Sequence, residues 1–364
     1  MSGKGQAFAE HTPPWPEGHV LIEVHNHVGH LVLNRPAGLN ALTLDMVRTL
    51  KTCLDDWAVD PHIKAVFLRG SGDRAFCAGG DIRSLYDSYQ TGDSVHTDFF
   101  VEEYALDLTL HHYRKPVMVL MDGLTLGGGM GLAQAADLRI VTERSRLAMP
   151  EVGIGYFPDV GGSYFLPRLP GELGIYLGVT GVQIQAADAL YCGLADWHIA
   201  SDRIATLEER LGHISWTDYP LKDLQGVLAR LGVQVLSHPP LDKLRPAIDH
   251  FFALPDIASM IEQLQQVSVA NSQKWARATA ELMGGRSPLA MSVTLEMLRR
   301  GRHMSLEECF AMELQLDRQW FAQGDIIEGV RALLIDKDKN PRWNPPTVQQ
   351  LSRGQVEAFF DWVG

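Results

Sequence analysis

Residues Val117 to Val141 read VMVLMDGLTLGGGMGLAQAADLRIV. VMVLM is a strand-sized apolar run, and a glycine-rich loop follows it. GMGLAQAAD then opens a helix, and LRIV is a second short strand. A strand, a glycine loop, a helix and another strand predict an α/β domain with a largely parallel sheet.

The flanking sequence extends the alternation. VLIEVHNHVGHLVLNRP reads as two strands around a turn at Asn26 to Gly29. NALTLDMVRTLKTCLDDWAVD places Leu42, Met46, Leu50 and Leu54 at helical spacing. AVFLRGS is a buried-type strand, and DFFVEEYALDLTLHHYRK is predicted helical. After about residue 200 the texture changes to amphipathic helices, from SDRIATLEERLGHI to SLEECFAMELQLDRQWFA, with no convincing strand. The expected organisation is an irregular tail over 1–18, a catalytic core over 19–205 and an α-helical region over 206–364.

Composition narrows the classes. The 364 residues carry a formal net charge of −12, which argues against nucleic-acid partners. No run reaches membrane-span length, so no membrane partner is expected. The four cysteines are scattered without a C-x-x-C pair, and the 14 histidines form no H-E-x-x-H pattern. No metal site is expected. Reduced thiols and the lack of a secretory h-region lead to the expectation of a cytoplasmic protein.

Three loops could carry chemistry. AFCAGGDIRSLY, Ala75 to Tyr86, and DGLTLGGGMGLAQAAD, Asp122 to Asp137, both run from strand through glycines into helix. Their glycines serve either tight helix–sheet packing or a pair of N–H donors converging on one oxygen. A P-loop is disfavoured, since no G-K-[ST] follows. No G-x-S-x-G is present, which weakens an α/β-hydrolase reading. The third loop, LAMPEVGIGYFPDVGGSYFLPRL, sets Glu151 and Asp159 in apolar surroundings that raise carboxyl pKa values. Locally they read as a helix cap and an Asx-turn, or as an acid–base pair. Glu102 and Glu103 read locally as a solvated helix face.

Together, NRPAGLNALT, AFCAGGDIRSL, KPVMVLMDGLTLGGGMGL, RLAMPEVGIGYFPDVGGSYFLPRL and EGVRALLIDKDKNPRWNP resemble the enoyl-CoA hydratase/isomerase (crotonase) superfamily, over about residues 20–345. MPE followed by FPDVGG points to its hydroxyacyl-CoA hydrolase branch. The resemblance implies a crotonase spiral of ββα units with a mainly α-helical C-terminal region, and an acyl-CoA substrate. It implies an oxyanion hole from the N–H groups of Gly80 and Gly128. A hydratase carries an acid where this chain has Gly131, and commonly glycine where this chain has Asp159. The expected catalytic pair is therefore Glu151 and Asp159, with Glu103 as a further substrate contact. Arg35, Ala37 and Arg83 are the expected coenzyme A contacts. No cofactor is expected, coenzyme A being part of the substrate, and a homo-oligomer is a possible assembly. The expected reaction is hydrolysis of a 3-hydroxyacyl-CoA, as in valine breakdown. The alternatives are an enoyl-CoA hydratase or isomerase, and a non-catalytic CoA-binding protein.

Overall fold

The computed structural model describes residues 18–231, 236–268 and 270–361. The expected tail over 1–18 lies outside them except for Gly18.

Among the described residues, ten strands divide between two sheets. β1 (Val20–His25) and β2 (Val28–Leu33) form an antiparallel hairpin. Its turn residues Asn26 and His27 stand at φ 47° and 65°, the paired left-handed geometry that matches strand twist. β3 (Ala65–Gly70), β5 (Val117–Met121), β7 (Leu138–Val141) and β10 (Trp197–His198) continue that sheet in parallel, in the order β1-β2-β3-β5-β7-β10. β4 (Ala75–Cys77), β6 (Leu124–Leu126), β8 (Arg146–Ala148) and β9 (Ile184–Gln185) form the second sheet in that order.

Each pass of the chain lays one strand in the first sheet and the next in the second. β3 leads to β4, β5 to β6 and β7 to β8. The result is the spiral of ββα turns that the motifs imply, and it stacks the ends of β4, β6 and β8 side by side. The loops leaving those ends are the three glycine- and acid-bearing segments. α1 (Leu44–Val59), α2 (Ile82–Thr91), α3 (Val95–His111) and α4 (Gly128–Gln134) complete the turns. β5 is buried at all five positions, as a strand covered on both faces must be.

Beyond His198 the described residues hold helices and no strand. The helix Pro240–Phe251 escapes the sequence reading because Pro246 sits inside it, and proline ordinarily ends a helix. Pro288–Gly301 and Leu306–Gln323 pack into the same continuous core as α1, α3 and the second sheet. Leu306–Gln323 is also hydrogen-bonded to the third of those loops. Among the described residues no helix is long and apolar enough to cross a membrane.

Candidate active site

The first loop leaves β4 at Cys77 and enters α2 after the N-cap Asp81. Gly79 stands at φ +94°, a conformation open to glycine. The NRPAGLNALT segment braces this loop from outside. Leu42 N–H donates to Gly79 O at 2.8 Å, and Asp81 N–H donates to Leu42 O at 2.8 Å. The buried Asn40 amide donates to Ala75 O at 2.8 Å and Ser71 O at 3.0 Å. The Gly80 N–H meets no acceptor among the described residues.

The second loop turns at Gly127, φ +49°, and Gly128 begins α4. The Gly128 N–H likewise meets no acceptor among the described residues, as is usual for a first-turn amide. A Cβ on Gly79 would lie 3.5 Å from Gly128 N, so the two loops touch. Gly80 and Gly128 line a single cavity of about 260 Å³. Glu103, Glu151 and Asp159 line the same cavity, with Phe99, Phe100 and Tyr156 as its aromatic wall.

Glu151 opens a short 3-10 turn after Pro150 and is buried, with Oε2 unpaired. Asp159 does make a turn, but with its backbone: its carbonyl accepts from Gly162 N–H at 2.7 Å. Its side chain is not spent on the turn. Oδ2 accepts from the Tyr104 hydroxyl at 2.9 Å. The next residue, Val160, stands at φ 50°, unusual for a β-branched side chain. Glu102 and Glu103 separate cleanly. Glu102 pairs with Arg48 at 2.7 Å near the surface, whereas Glu103 is 2% exposed and its Oε1 has no partner among the described residues.

The helix Leu306–Gln323 grips the third loop at three heights. Trp320 Nε1 donates to Gly155 O at 2.7 Å. Asp317 Oδ1 is hydrogen-bonded to the Tyr156 hydroxyl at 2.9 Å. Glu313 accepts from Gly161 N–H at 2.8 Å and Ser163 N–H at 2.9 Å. These two acids, with Asp107, were not singled out from the sequence. The signal existed: Glu103 and Asp107, and again Glu313 and Asp317, stand four residues apart within apolar helical stripes. Like charges at that spacing repel unless neutralised or paired.

Six buried carboxyls thus gather: Glu103, Asp107, Glu151, Asp159, Glu313 and Asp317. None is in an ion pair among the described residues. Burial, reinforced by the neighbouring acids, pushes Glu103, Asp107 and Glu151 well above the usual carboxyl range. Burial pushes Asp159 up to about 7, against the opposing hydrogen bond from Tyr104. Glu313 and Asp317 rise to about 8 by burial. Carboxyls titrating near neutrality suit proton transfer. Among the described residues, no group of three or more His, Cys, Asp or Glu is arranged to hold a metal ion.

Gly131 has no room for a side chain. Its Cβ would stand 2.6 Å from Val160 Cβ and 2.9 Å from Asp107 Oδ2. Arg35, Ala37 and Arg83 do not line the cavity. Arg35 donates to Asp81 Oδ2 at 2.9 Å and to Ala41 O at 2.6 Å. Ala37 is exposed in the turn Pro36–Gly38, and Arg83 is exposed on α2. The arginine in the cavity wall is Arg286, beside Gly153.

Comparison with known proteins follows the same lines. The family model described as enoyl-CoA hydratase/isomerase matches residues 28–360. The chain is similar to the mitochondrial 3-hydroxyisobutyryl-CoA hydrolase of Danio rerio, 38% identical over 94% of this chain and 89% of that one. It is also similar to the small ribosomal subunit protein mS47 of Arabidopsis thaliana, 35% identical over 94% of this chain and 85% of that one. Among solved structures, a carnitinyl-CoA dehydratase from Mycobacterium thermoresistibile superposes with a TM-score of 0.86 at 36% identity, covering 95% of this chain and 97% of that chain. The hydrolase relatives are named as mitochondrial, which corrects the cytoplasmic expectation. Scattered thiols do not distinguish the two compartments, so composition had no power to make that choice.

Proposed function

Since this chain belongs to the enoyl-CoA hydratase/isomerase family, we propose that it hydrolyses a 3-hydroxyacyl-CoA thioester, 3-hydroxyisobutyryl-CoA in the first instance, to the free acid and CoA. Relatives of comparable similarity carry the names of a hydrolase, a dehydratase and a ribosomal protein, so identity alone does not choose among them. The observation that favours hydrolysis is the position of the second acid. Asp159 stands in the cavity with Glu151, while the alternative position, Gly131, is closed by Val160 and Asp107.

In this reading the thioester carbonyl lies between the Gly80 and Gly128 N–H groups. Each such donor, aimed at developing negative charge in a dry site, is typically worth about 3–4 kcal/mol of barrier. Burial lifts both carboxyls of the pair above the usual range. Glu151 passes its proton to Asp159 and, once ionised, attacks the carbonyl carbon or deprotonates the water that does so. The C–S bond then breaks, and the thiolate takes the proton that Asp159 received and leaves as CoA. Where Glu151 attacks, water hydrolyses the resulting anhydride and restores the carboxyl. Asp159 Oδ1 carries no side-chain hydrogen bond and accepts the substrate 3-hydroxyl. An acyl chain without that hydroxyl leaves a buried acceptor unpaired, which costs affinity. Every step is assigned to side chains, backbone N–H groups and water.

The test is thiol release across acyl-CoA thioesters with and without a 3-hydroxyl, beside hydration of crotonyl-CoA. Hydrolysis restricted to hydroxylated thioesters supports the reading. Hydration of crotonyl-CoA without thiol release replaces it with a hydratase. Thioester binding without either product replaces it with a non-catalytic CoA-binding protein.

A further inference from the structure

The turn that carries Asp159 is strained, and a residue far along the chain holds it. Val160 and Gly161 stand at φ 50° and 83°, and the Asp159 carbonyl accepts from Gly162 N–H at 2.7 Å. Two left-handed central residues closed by that bond make a type I′ turn, a geometry that favours Asn, Asp and Gly. Gly161 suits it, and its bare α-carbon packs on the Phe310 ring, which a Cβ would meet at 3.2 Å. Val160 does not suit it, because positive φ sets Cβ against the following carbonyl oxygen, and a β-branched residue bears this worst. Strain of this kind persists only where the surroundings over-determine it, and it gathers at functional sites.

Glu313 supplies those surroundings. Its Oε2 accepts from Gly161 N–H at 2.8 Å, and its Oε1 accepts from Ser163 N–H at 2.9 Å and from the Ser163 hydroxyl. The carboxyl is buried and is hydrogen-bonded to nothing else among the described residues. The turn it clamps does two things at the cavity. It presents the Asp159 carboxyl to the Tyr104 hydroxyl, 2.9 Å away. It also lays Val160 over Gly131, where a Cβ would stand 2.6 Å from Val160 Cβ. We propose that Glu313 is a positioning residue for Asp159: by fixing this turn, one carboxyl on the helix Leu306–Gln323 decides both that Asp159 enters the site and that the position at Gly131 is closed. The inference rests on the hydrolase reading of Glu151 and Asp159.

Glu313 does not line the cavity, so it acts through the turn and not on the substrate. Tyr104 does not replace it, since Tyr104 holds the Asp159 carboxyl and leaves the backbone free. A turn released from Glu313 relaxes Val160 toward negative φ, the unstrained region for a β-branched residue. Asp159 then swings away from Tyr104, and the substrate 3-hydroxyl loses its acceptor. Preference for a hydroxylated acyl chain therefore depends on a side chain some 150 residues further along the sequence.

The test is Glu313→Gln, in which the amide nitrogen no longer accepts and instead faces an N–H of the turn. It is made at about pH 9, above the value of about 8 to which burial pushes Glu313, so that the wild-type carboxyl is ionised. Calorimetry gives the dissociation constants of a 3-hydroxyacyl thioether of CoA and of its counterpart without the hydroxyl. Their ratio does not depend on how much of the protein is folded, so a merely stabilising role leaves it unchanged. The preference for the hydroxylated ligand is expected to fall about fivefold or more, the scale of a lost hydrogen bond to a buried acceptor. The kcat for the hydroxylated thioester is expected to fall by about tenfold to a hundredfold, as for a displaced reacting group. A crystal structure of the variant is expected to show Val160 at negative φ and Asp159 turned from Tyr104. An unchanged or raised preference, or a wild-type turn in that structure, overturns the proposal. Where Glu313→Gln does not fold, Ser163→Ala removes one of the three donors and is expected to lower the same preference about twofold. An unchanged preference there overturns the proposal too. Failure of the hydrolase reading looks different: Glu151→Gln and Asp159→Asn then keep turnover near wild type.

Discussion

Glu151 Oε1 lies 2.7 Å from the point that a Cβ on Gly127 would occupy. The Glu151 carboxyl therefore rests on bare backbone. That backbone stands at φ +49°, where an L side chain is strained. Gly127→Ala is expected to cost about 1–3 kcal/mol of stability from strain. It is also expected to displace Glu151 and lower kcat by about a hundredfold, the scale set by a misplaced reacting group. Urea unfolding and thiol release measure the two effects separately. Wild-type turnover in this variant would show that Glu151 needs no such seat.

Glu151→Gln and Asp159→Asn keep size and hydrogen-bonding shape while removing the titrating proton. Each is expected to lower kcat by roughly 10²–10⁴, the range for a positioned acid or base. Asp159→Asn is further expected to narrow the gap between hydroxylated and unhydroxylated thioesters. Steady-state kinetics on both substrates checks this. An undiminished preference for the hydroxylated thioester would move recognition of that group elsewhere, with Glu103 the first candidate.

Gly131→Glu restores the acid that a hydratase carries and is expected to fail as a conversion. The new side chain meets Val160 Cβ at 2.6 Å and Asp107 Oδ2 at 2.9 Å. Overpacking of this kind costs about 1–3 kcal/mol. A second unpaired acid beside Asp107 adds to that. The variant is expected to unfold at lower urea and to leave crotonyl-CoA unhydrated. Measurable hydration would mean that the loop at Val160 yields more readily than its packing implies.

The acid cluster sets a pH dependence of stability. Asp159, at about 7, and Glu313 and Asp317, at about 8, lie above their ordinary values because burial opposes the charged form. Between about pH 4 and 8 the folded chain therefore binds protons that the unfolded chain has lost. These groups impose no penalty below their unfolded values, and their penalty is complete above about 8. The urea midpoint is expected to fall between pH 5.5 and 8, and to fall less in Asp317→Asn, which cannot ionise. A midpoint rising over this range, or an equal fall in the variant, contradicts the assignment.

Much of this architecture was legible in one dimension. The alternation of strands, glycine loops and helices marks the ββα turns. The motifs carrying Gly80, Gly128, Glu151 and Asp159 resemble a family whose model matches residues 28–360. What stayed hidden is instructive. Glu102 and Glu103 are adjacent in sequence, yet one pairs with Arg48 near the surface and the other is buried without a partner for Oε1. The Arg35 side chain is held by Asp81 and by the Ala41 carbonyl, a long-range pairing that its own sequence neighbours do not reveal.

The sequence by itself determined which segments become strand or helix, where glycine must bend the chain, and which acids stand on the third loop. Periodicity and backbone conformation are local, so a local reading reaches them. Only the tertiary structure decided what surrounds those acids. The helix Leu306–Gln323 brings Glu313 and Asp317 against a loop some 150 residues earlier in the chain. The charge state of a carboxyl depends on the solvent it has lost and the dipoles and charges it faces across space. Neither is written in its sequence neighbours. That is why Asp159 reads as a turn residue in the chain and as a near-neutral titrating acid in the fold.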